Sequence, residues 1–302
     1  MEIGILKQRQ SLPLEAKILM SEKRIREWYN YYNGNVYISF SGGKDSTVLL
    51  NLVRNIYPDV VAVFCDTGLE YPEIRDFVKS IDNVVWLKPK MNFKKVIEKY
   101  GYPVVSKENS QKIYEWRTTK SEKHKYKLMY GSGNKYKSGR LPFKWRFLID
   151  APFKIGYQCC SVMKKNPFKQ FERQSGLKAF IGTMASDSHL RRQQYLRTGC
   201  NSYTGREQSK PLSFWLTSDI WEYIKINKLS YSNVYDMGYV NTGCMFCMFG
   251  LHLEGVKNRF TLMRKTHPKQ YKFCMETLGC RKVIDYTFPN LKENLYFDFE
   301  GN

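Results

Sequence analysis

The chain has 302 residues, of which 42 % are hydrophobic, enough to build a core without disulfide or metal staples. Its 49 Lys+Arg against 28 Asp+Glu give a formal charge of +21, which favours polyanionic partners such as nucleic acid. No run approaches the ~20 apolar residues of a membrane span and no secretory leader opens MEIGILKQRQ, so a cytoplasmic protein with no membrane contact is expected, whose eight cysteines serve metal or redox chemistry rather than disulfides.

Residues 14–32 place Leu14, Ile18, Leu19, Ile25 and Trp28 at helical spacing between charges, which predicts an N-terminal helix. Residues 36–40 form a short β-rich run, and 47–56 return to helical spacing. Between them lies Ser41-Gly42-Gly43-Lys44-Asp45-Ser46. The pattern repeats in DVVAVFCDTGLEYPEIRDFVKSI, which predicts a strand ending at Asp66, a turn and a helix from near Tyr71, followed by the strand NVVWL. Strands alternating with helices predict an α/β fold with a doubly wound, mainly parallel sheet, whose ligands bind beyond the carboxyl ends of the strands.

Residues 107–146 change texture. Twelve Lys/Arg and three Glu give a local +9, interleaved with Tyr114, Trp116, Tyr126, Tyr130, Tyr136, Phe143 and Trp145. With Gly131, Gly133 and Gly139 inside it, this stretch is read as a loop-rich insertion. It is either a solvated loop with tyrosines packed on the core or a nucleic-acid surface, since cations meet phosphates and aromatics stack on bases. KAFIGTMASDSHLRR then restores a strand, a turn and a helix start. LTSDIWEYIKINKL is an amphipathic helix with Thr217 or Ser218 as its cap and Asp219 in its first turn. The division expected is an N-terminal helical segment (1–34), a nucleotide-binding domain (35–215) and a C-terminal, cysteine-containing helical module (216–302).

A glycine-rich turn at a helix N-terminus directs backbone N–H groups at one anion, and Lys44 adds a point charge. The turn is not a Walker A motif, because Ile38 stands at the first glycine position and Asp45 follows Lys44. Cys159 and Cys160 are adjacent, and Cys244 and Cys247 form a CxxC. Four thiolates hold Zn²⁺ or an iron–sulfur cluster, and the spacing alone does not choose. Cys65, Cys200, Cys274 and Cys280 have no partner pattern, and Cys65 reads as a small hydrophobe at a strand end. Arg191 and Arg192 are either anion contacts or a solvated helix face.

The SGGKDS turn resembles the SGGxDS loop of the PP-loop ATP pyrophosphatases. Together with DTGLEYPEI, GTMASDSHLRR, PLSFWLTSDIWEYIKINKLSYSNVYDMGY and the two cysteine pairs, in this order, residues 36–250 resemble the phosphoadenosine phosphosulfate (PAPS) reductase family and its adenine nucleotide alpha hydrolase-like fold. The resemblance implies that Ser41, Gly42, Gly43, Lys44, Asp45 and Ser46 face the phosphates of ATP, with Lys44 and Asp45 catalytic. It also implies that Asp66 and Thr67 lie beside the nucleotide or its Mg²⁺, and that Arg191 and Arg192 add anion contacts. Cys159, Cys160, Cys244 and Cys247 match the ligands of a [4Fe–4S] cluster, with Lys164 and Lys165 adding positive field. The reductases carry a further catalytic cysteine in a Glu-Cys-Gly-Ile/Leu-His segment, which is not found here; in FGLH, Phe249 stands where that cysteine would be. The reading that follows is ATP cleavage to AMP and pyrophosphate, activating a substrate for sulfur transfer to a nucleic acid, as in DNA phosphorothioation or tRNA thiolation. A sulfur donor such as a cysteine desulfurase is the expected partner, and a homo-oligomer is allowed. The alternatives are a sulfonucleotide reductase that borrows an external thiol and a non-catalytic nucleotide and cluster sensor.

Overall fold

A computed structural model describes residues 2–131, 139–255 and 257–291. The chain forms two units, each made of three segments. The first comprises Met1–Asp66, Glu70–Lys88 and Pro167–Asp236, and the second Thr67–Leu69, Pro89–Asn166 and Met237–Asn302. This division differs from the boundaries expected from sequence. The basic stretch and both cysteine pairs fall in the second unit, while the helix Thr217–Ile226 falls in the first. That helix buries Ile220, Tyr223 and Ile224, and its Tyr223 hydroxyl donates to Asn51 Oδ1 at 2.8 Å, tying it to the helix Lys44–Arg54.

The strands in chain order are β1 (Val36–Ser39), β2 (Ala62–Cys65), β3 (Val84–Leu87), β4 (Val104–Val105), β5 (Lys178–Ile181), β6 (Asn201–Ser202), β7 (Gln208–Ser209) and β8 (Met248–Phe249). In the first unit they form a six-stranded sheet ordered β3-β2-β1-β5-β7-β6, parallel throughout except for the β6–β7 pair. Register places Ile38 beside Ala62 and beside Phe180, so the centre of the sheet is continuous apolar surface. β2 is buried at all four residues, as expected of a strand covered on both faces. Tyr37, Val63 and Ala179 share one face and pack under Phe168 and Phe171 of the helix Asn166–Ser175. Winding runs outward from β1 through β2 to β3, and in the other direction through β5. The topological switch therefore lies between β1 and β5, the place where open α/β sheets bind ligands.

Two details of the first unit depart from the sequence reading. The helix after the glycine turn begins at Lys44, so Lys44, Asp45 and Ser46 form its first turn. The helix Thr217–Ile226 is capped from within: Asp219 Oδ2 accepts the Leu216 N–H at 2.7 Å, and neither Thr217 nor Ser218 occupies the cap position. The same oxygen receives Lys17 Nζ at 2.7 Å, an ion pair in which Lys17 is only 2 % exposed.

The second unit corrects the loop reading of 107–146. Ser106 and Ser121 accept N–H groups three residues on and start the helices Lys107–Thr118 and Glu122–Tyr130. A 3₁₀ segment, Phe143–Asp150, follows, and the Arg117 guanidinium donates to the carbonyls of Leu148, Ile149, Ala151 and Phe153. Gly133 and Tyr136 lie outside the described residues. β4 and β8 pair in parallel, placing Val105 beside Phe249. Among the described residues no helix is long and apolar enough to cross a membrane.

Candidate nucleotide site and thiol cavity

Ser41 to Ser46 leave the carboxyl end of β1 at the switch point. Gly42 has φ +71°, and a Cβ there would stand 2.8 Å and 2.9 Å from methyls of Val78 and Ile74, so only glycine fits. The serines hold the turn: the Ser46 hydroxyl donates to the Gly43 carbonyl at 2.8 Å and accepts the Ser41 N–H at 3.2 Å, and the two hydroxyls lie 3.0 Å apart. Thr47 Oγ1 also donates to the Gly43 carbonyl, at 3.1 Å. Gly43 is extended at the cap position and contributes no side-chain cap, so the helix start presents backbone to a ligand. Gly182, just past β5, lies against this turn; a Cβ there would be 2.9 Å from the Asp45 carbonyl oxygen.

Charge is concentrated in the first turn of the helix. Lys44 is 3 % exposed, with Nζ 3.5 Å from Asp45 Oδ1 and 5.5 Å from the centre of the Tyr235 ring. The Lys44 N–H donates to the Tyr235 hydroxyl at 2.8 Å. Asp45 Oδ1 is buried and has no hydrogen-bond donor among the described residues. Burial raises the Asp45 carboxyl pKa, Asp187 adds to the rise, and Lys44 and Arg191 oppose it. Asp187 accepts the Met184 N–H at 2.9 Å and pairs with Arg191 one turn along the helix His189–Thr198. Arg192 is half-buried beside it, and its N–H donates to the Ser188 carbonyl at 3.0 Å. Asp66, directly after β2, is buried and paired with Arg75 at 2.9 Å. Thr67 belongs to the second unit, where its hydroxyl accepts the Leu69 N–H at 3.2 Å.

A carboxyl whose pKa is raised on folding binds its proton more tightly in the folded state, so its ionisation costs stability as pH rises through that range. Asp45→Asn is therefore expected to raise the melting temperature at neutral pH. The gain should shrink as pH falls and Asp45 takes up its proton. Thermal melts of both proteins across the acid range check this, and a pH-independent difference would contradict it.

In the second unit, Cys159, Cys160, Cys244 and Cys247 line one cavity of ≈ 20 Å³ with Leu69, Phe93, Pro103, Met163 and Lys164. Two local structures bring them there. Cys160 opens the π-helical turn Ser161–Lys165, and the CxxC loop is closed by the Cys247 N–H donating to the Cys244 carbonyl at 3.1 Å and anchored by the Met245 N–H donating to Leu69 at 2.8 Å. Cys159 Sγ donates to Cys160 Sγ at 3.9 Å. That bond holds the Cys160 thiol below its ordinary range against the effect of burial, assisted by Lys164, Lys107 and Lys165, and pushes Cys159 up. Burial pushes Cys247 up to about 11, with Cys244 adding to the shift. Among the described residues no three His, Cys, Asp or Glu side chains are drawn close enough round one point to hold a single metal ion. Four sulfur donors bordering one space with no oxygen ligand fit an iron–sulfur cluster or a soft ion by donor chemistry.

A model of the phosphoadenosine phosphosulfate reductase domain matches residues 35–249. The chain belongs to this family. Within the PAPS reductase family and around it, the chain is 26 % identical to adenosine 5'-phosphosulfate reductase of Staphylococcus haemolyticus, over 74 % of this chain and 74 % of that protein. It is also 26 % identical to an uncharacterized protein of Methanocaldococcus jannaschii over 88 % of its own length, and spans about half of that relative (53 %). Among solved structures it resembles phosphoadenylyl-sulfate (PAPS) reductase from Candida auris in its phosphate complex (TM-score 0.43, 17 % identity, 78 % of this chain and 96 % of that one). It also resembles the U34-tRNA thiolase NcsA from Methanococcus maripaludis with its [4Fe-4S] cluster (TM-score 0.39, 13 % identity, 89 % of this chain and 80 % of that one).

Of the site residues expected from the PAPS reductase resemblance, the structure gathers Ser41 to Ser46 at the switch point, puts Asp66 at the end of the neighbouring strand and brings Arg191 within the field of Asp45 through Asp187. The four cysteines line one cavity without being drawn round a single point. Tyr235 and Asp187 escaped the sequence reading as site residues. Each lies inside a segment that carries the family resemblance, but what each touches depends on tertiary placement.

Proposed function

We propose that this PAPS reductase-family protein splits ATP between the α- and β-phosphates and uses the adenylate to activate an oxygen of a nucleic acid for replacement by sulfur. The observation that carries this reading is the buried Lys44 beside the half-buried Asp45 in the first turn of a helix whose glycine-rich entry faces the switch point. The substrate oxygen attacks the α-phosphorus, the bond from that phosphorus to the bridging oxygen breaks, and pyrophosphate leaves toward the turn 41–46 and Lys44. Lys44 stabilises the charge that builds on the leaving group. A sulfur nucleophile then displaces AMP, which departs with the activated oxygen. Mg²⁺ bound with the nucleotide would neutralise phosphate charge, with Asp66 as a carboxylate to hold it. A [4Fe–4S] cluster on Cys159, Cys160, Cys244 and Cys247 would supply iron-bound sulfur or electron chemistry. A separate protein such as a cysteine desulfurase would provide the sulfur.

Relatives named adenosine 5'-phosphosulfate reductases favour a second reading, reduction of a sulfonucleotide. Against it, Cys274 and Cys280 are both fully buried, so neither presents a thiol to a nucleotide. The reduction would need a thiol from another protein.

Incubation with ATP labelled at the α-phosphate, with and without nucleic acid, tests the reading. AMP and pyrophosphate are expected. ADP and orthophosphate would refute it, and sulfite released from a sulfonucleotide by an added thiol, with ATP untouched, would establish the second. Anaerobically purified protein is expected to carry about four irons per chain, lost when Cys244 and Cys247 become serine. Stoichiometric zinc with no iron would remove the cluster from the mechanism.

A further inference from the structure

We infer that the helix Glu122–Tyr130 and the adjoining Phe143 and Arg146 form a stacking platform for the unpaired bases of a single-stranded nucleic acid. The inference rests on the nucleic-acid acceptor proposed above and names the residues that would hold it. Tyr126, Tyr130 and Phe143 are 64 %, 57 % and 83 % exposed. They are not scattered. Tyr126 and Tyr130 lie one helical turn apart with ring centroids separated by 4.6 Å. The Arg146 guanidinium is 5.8 Å from the Tyr130 ring centre and 5.5 Å from that of Phe143, which makes a row of three rings with a cation between two of them. Arg146 is held there by donating to the carbonyls of Met129 and Leu141, so the row is set before any ligand arrives.

The charges beside the row are arranged for a polyanion. Positions 123, 126, 127 and 130 share one helical stripe, which reads Lys-Tyr-Lys-Tyr, while the apolar Leu128 is buried. Lys123 and Lys127 make no ion pair among the described residues. By contrast, Lys112 and Lys125 pair with Glu108 and Glu122, and Arg117 is spent on backbone carbonyls. The effective positive surface is therefore narrower than the formal +9 of the stretch, and it alternates with rings. A membrane surface would call for exposed aliphatic side chains, and this stripe has none; the core of a protein interface is depleted in lysine, whereas here lysines alternate with the rings. Cations for phosphates and open ring faces for bases fit a strand whose bases are not already stacked in a duplex.

The test uses the full chain and fluorescently labelled oligonucleotides of equal length: single-stranded DNA, single-stranded RNA and duplex DNA. Single strands are expected to bind at least tenfold more tightly than duplex at the same salt, and the DNA and RNA arms decide between the two sources of unpaired bases. Tyr126→Ala and Phe143→Ala are each expected to weaken binding by about fivefold or more, with the slope of log affinity against log salt unchanged. Lys123→Gln and Lys127→Gln should each flatten that slope by about 0.7. Tyr126→Trp should retain affinity, which separates stacking from damage to the fold. Ring-to-alanine variants that bind within twofold of the parent would overturn the platform. So would equal binding of duplex, or ring variants that abolish self-association instead of oligonucleotide binding. If ATP is not cleaved to AMP while single-strand binding keeps its dependence on the rings, the proposed reaction fails and the platform stands. The reverse pattern leaves the reaction intact and removes the platform.

Discussion

Lys44→Ala is expected to lower pyrophosphate release from ATP by about 10²–10³-fold, the scale for removing one preorganised group that meets developing charge. Lys44 is 3 % exposed and beside Asp45, so its charge acts in a space from which water is largely excluded. The fold should tolerate the change, because alanine is the best helix former and the position opens a helix. Lys44→Arg is not expected to restore the rate, since a planar guanidinium does not fit the space of a buried ammonium. Initial rates with α-labelled ATP, measured beside a thermal melt, check both statements. A variant that keeps its melting temperature and loses less than tenfold in rate would remove Lys44 from the chemistry.

Lys17→Met is expected to destabilise the first unit by about 3–5 kcal/mol, the cost of breaking a buried ion pair from one side. The methionine fills most of the lysine's volume, so the loss is electrical rather than steric. Asp219 stays behind, 7 % exposed, and among the described residues keeps the Leu216 N–H alone as a donor to Oδ2. The double variant Lys17→Met/Asp219→Asn should recover much of the loss, because no unpaired charge remains. Urea unfolding followed by fluorescence and circular dichroism gives the coupling energy. Additive single losses would show that the two side chains do not depend on each other.

Much of the first unit was legible because its physics is local. β1 and β2 are short apolar runs, the helices beside them have a clear period, and the turn after β1 is marked by two glycines and a lysine. The second unit was harder to read. In the helices Lys107–Thr118 and Glu122–Tyr130 the buried set is Ser110, Ile113 and Leu128, too sparse among charges to register as a period, and the serine caps were the signal that went unused. The division of the chain was also hidden, because the contacts of Thr217–Ile226 run to residues about 170 to 200 positions earlier. Tyr235 and Asp187 are site neighbours for the same reason. The cysteines were legible as a set, since adjacent and CxxC spacings are uncommon by chance, but the hydrogen bond that splits Cys159 from Cys160 depends on their placement in the fold.

The interleaved segments order events during synthesis. Cys159 and Cys160 leave the ribosome before the Pro167–Asp236 segment of the other unit, and Cys244 and Cys247 leave after it. Until that segment folds, bringing the two thiol pairs together means closing a loop of flexible chain, which costs on the order of 4 kcal/mol in entropy. Folding of Pro167–Asp236 shortens the loop and removes most of that cost. A chain truncated or stalled before Cys244 therefore offers the Cys159–Cys160 pair alone, and the shared cavity forms only on chains whose sheet segment has already folded.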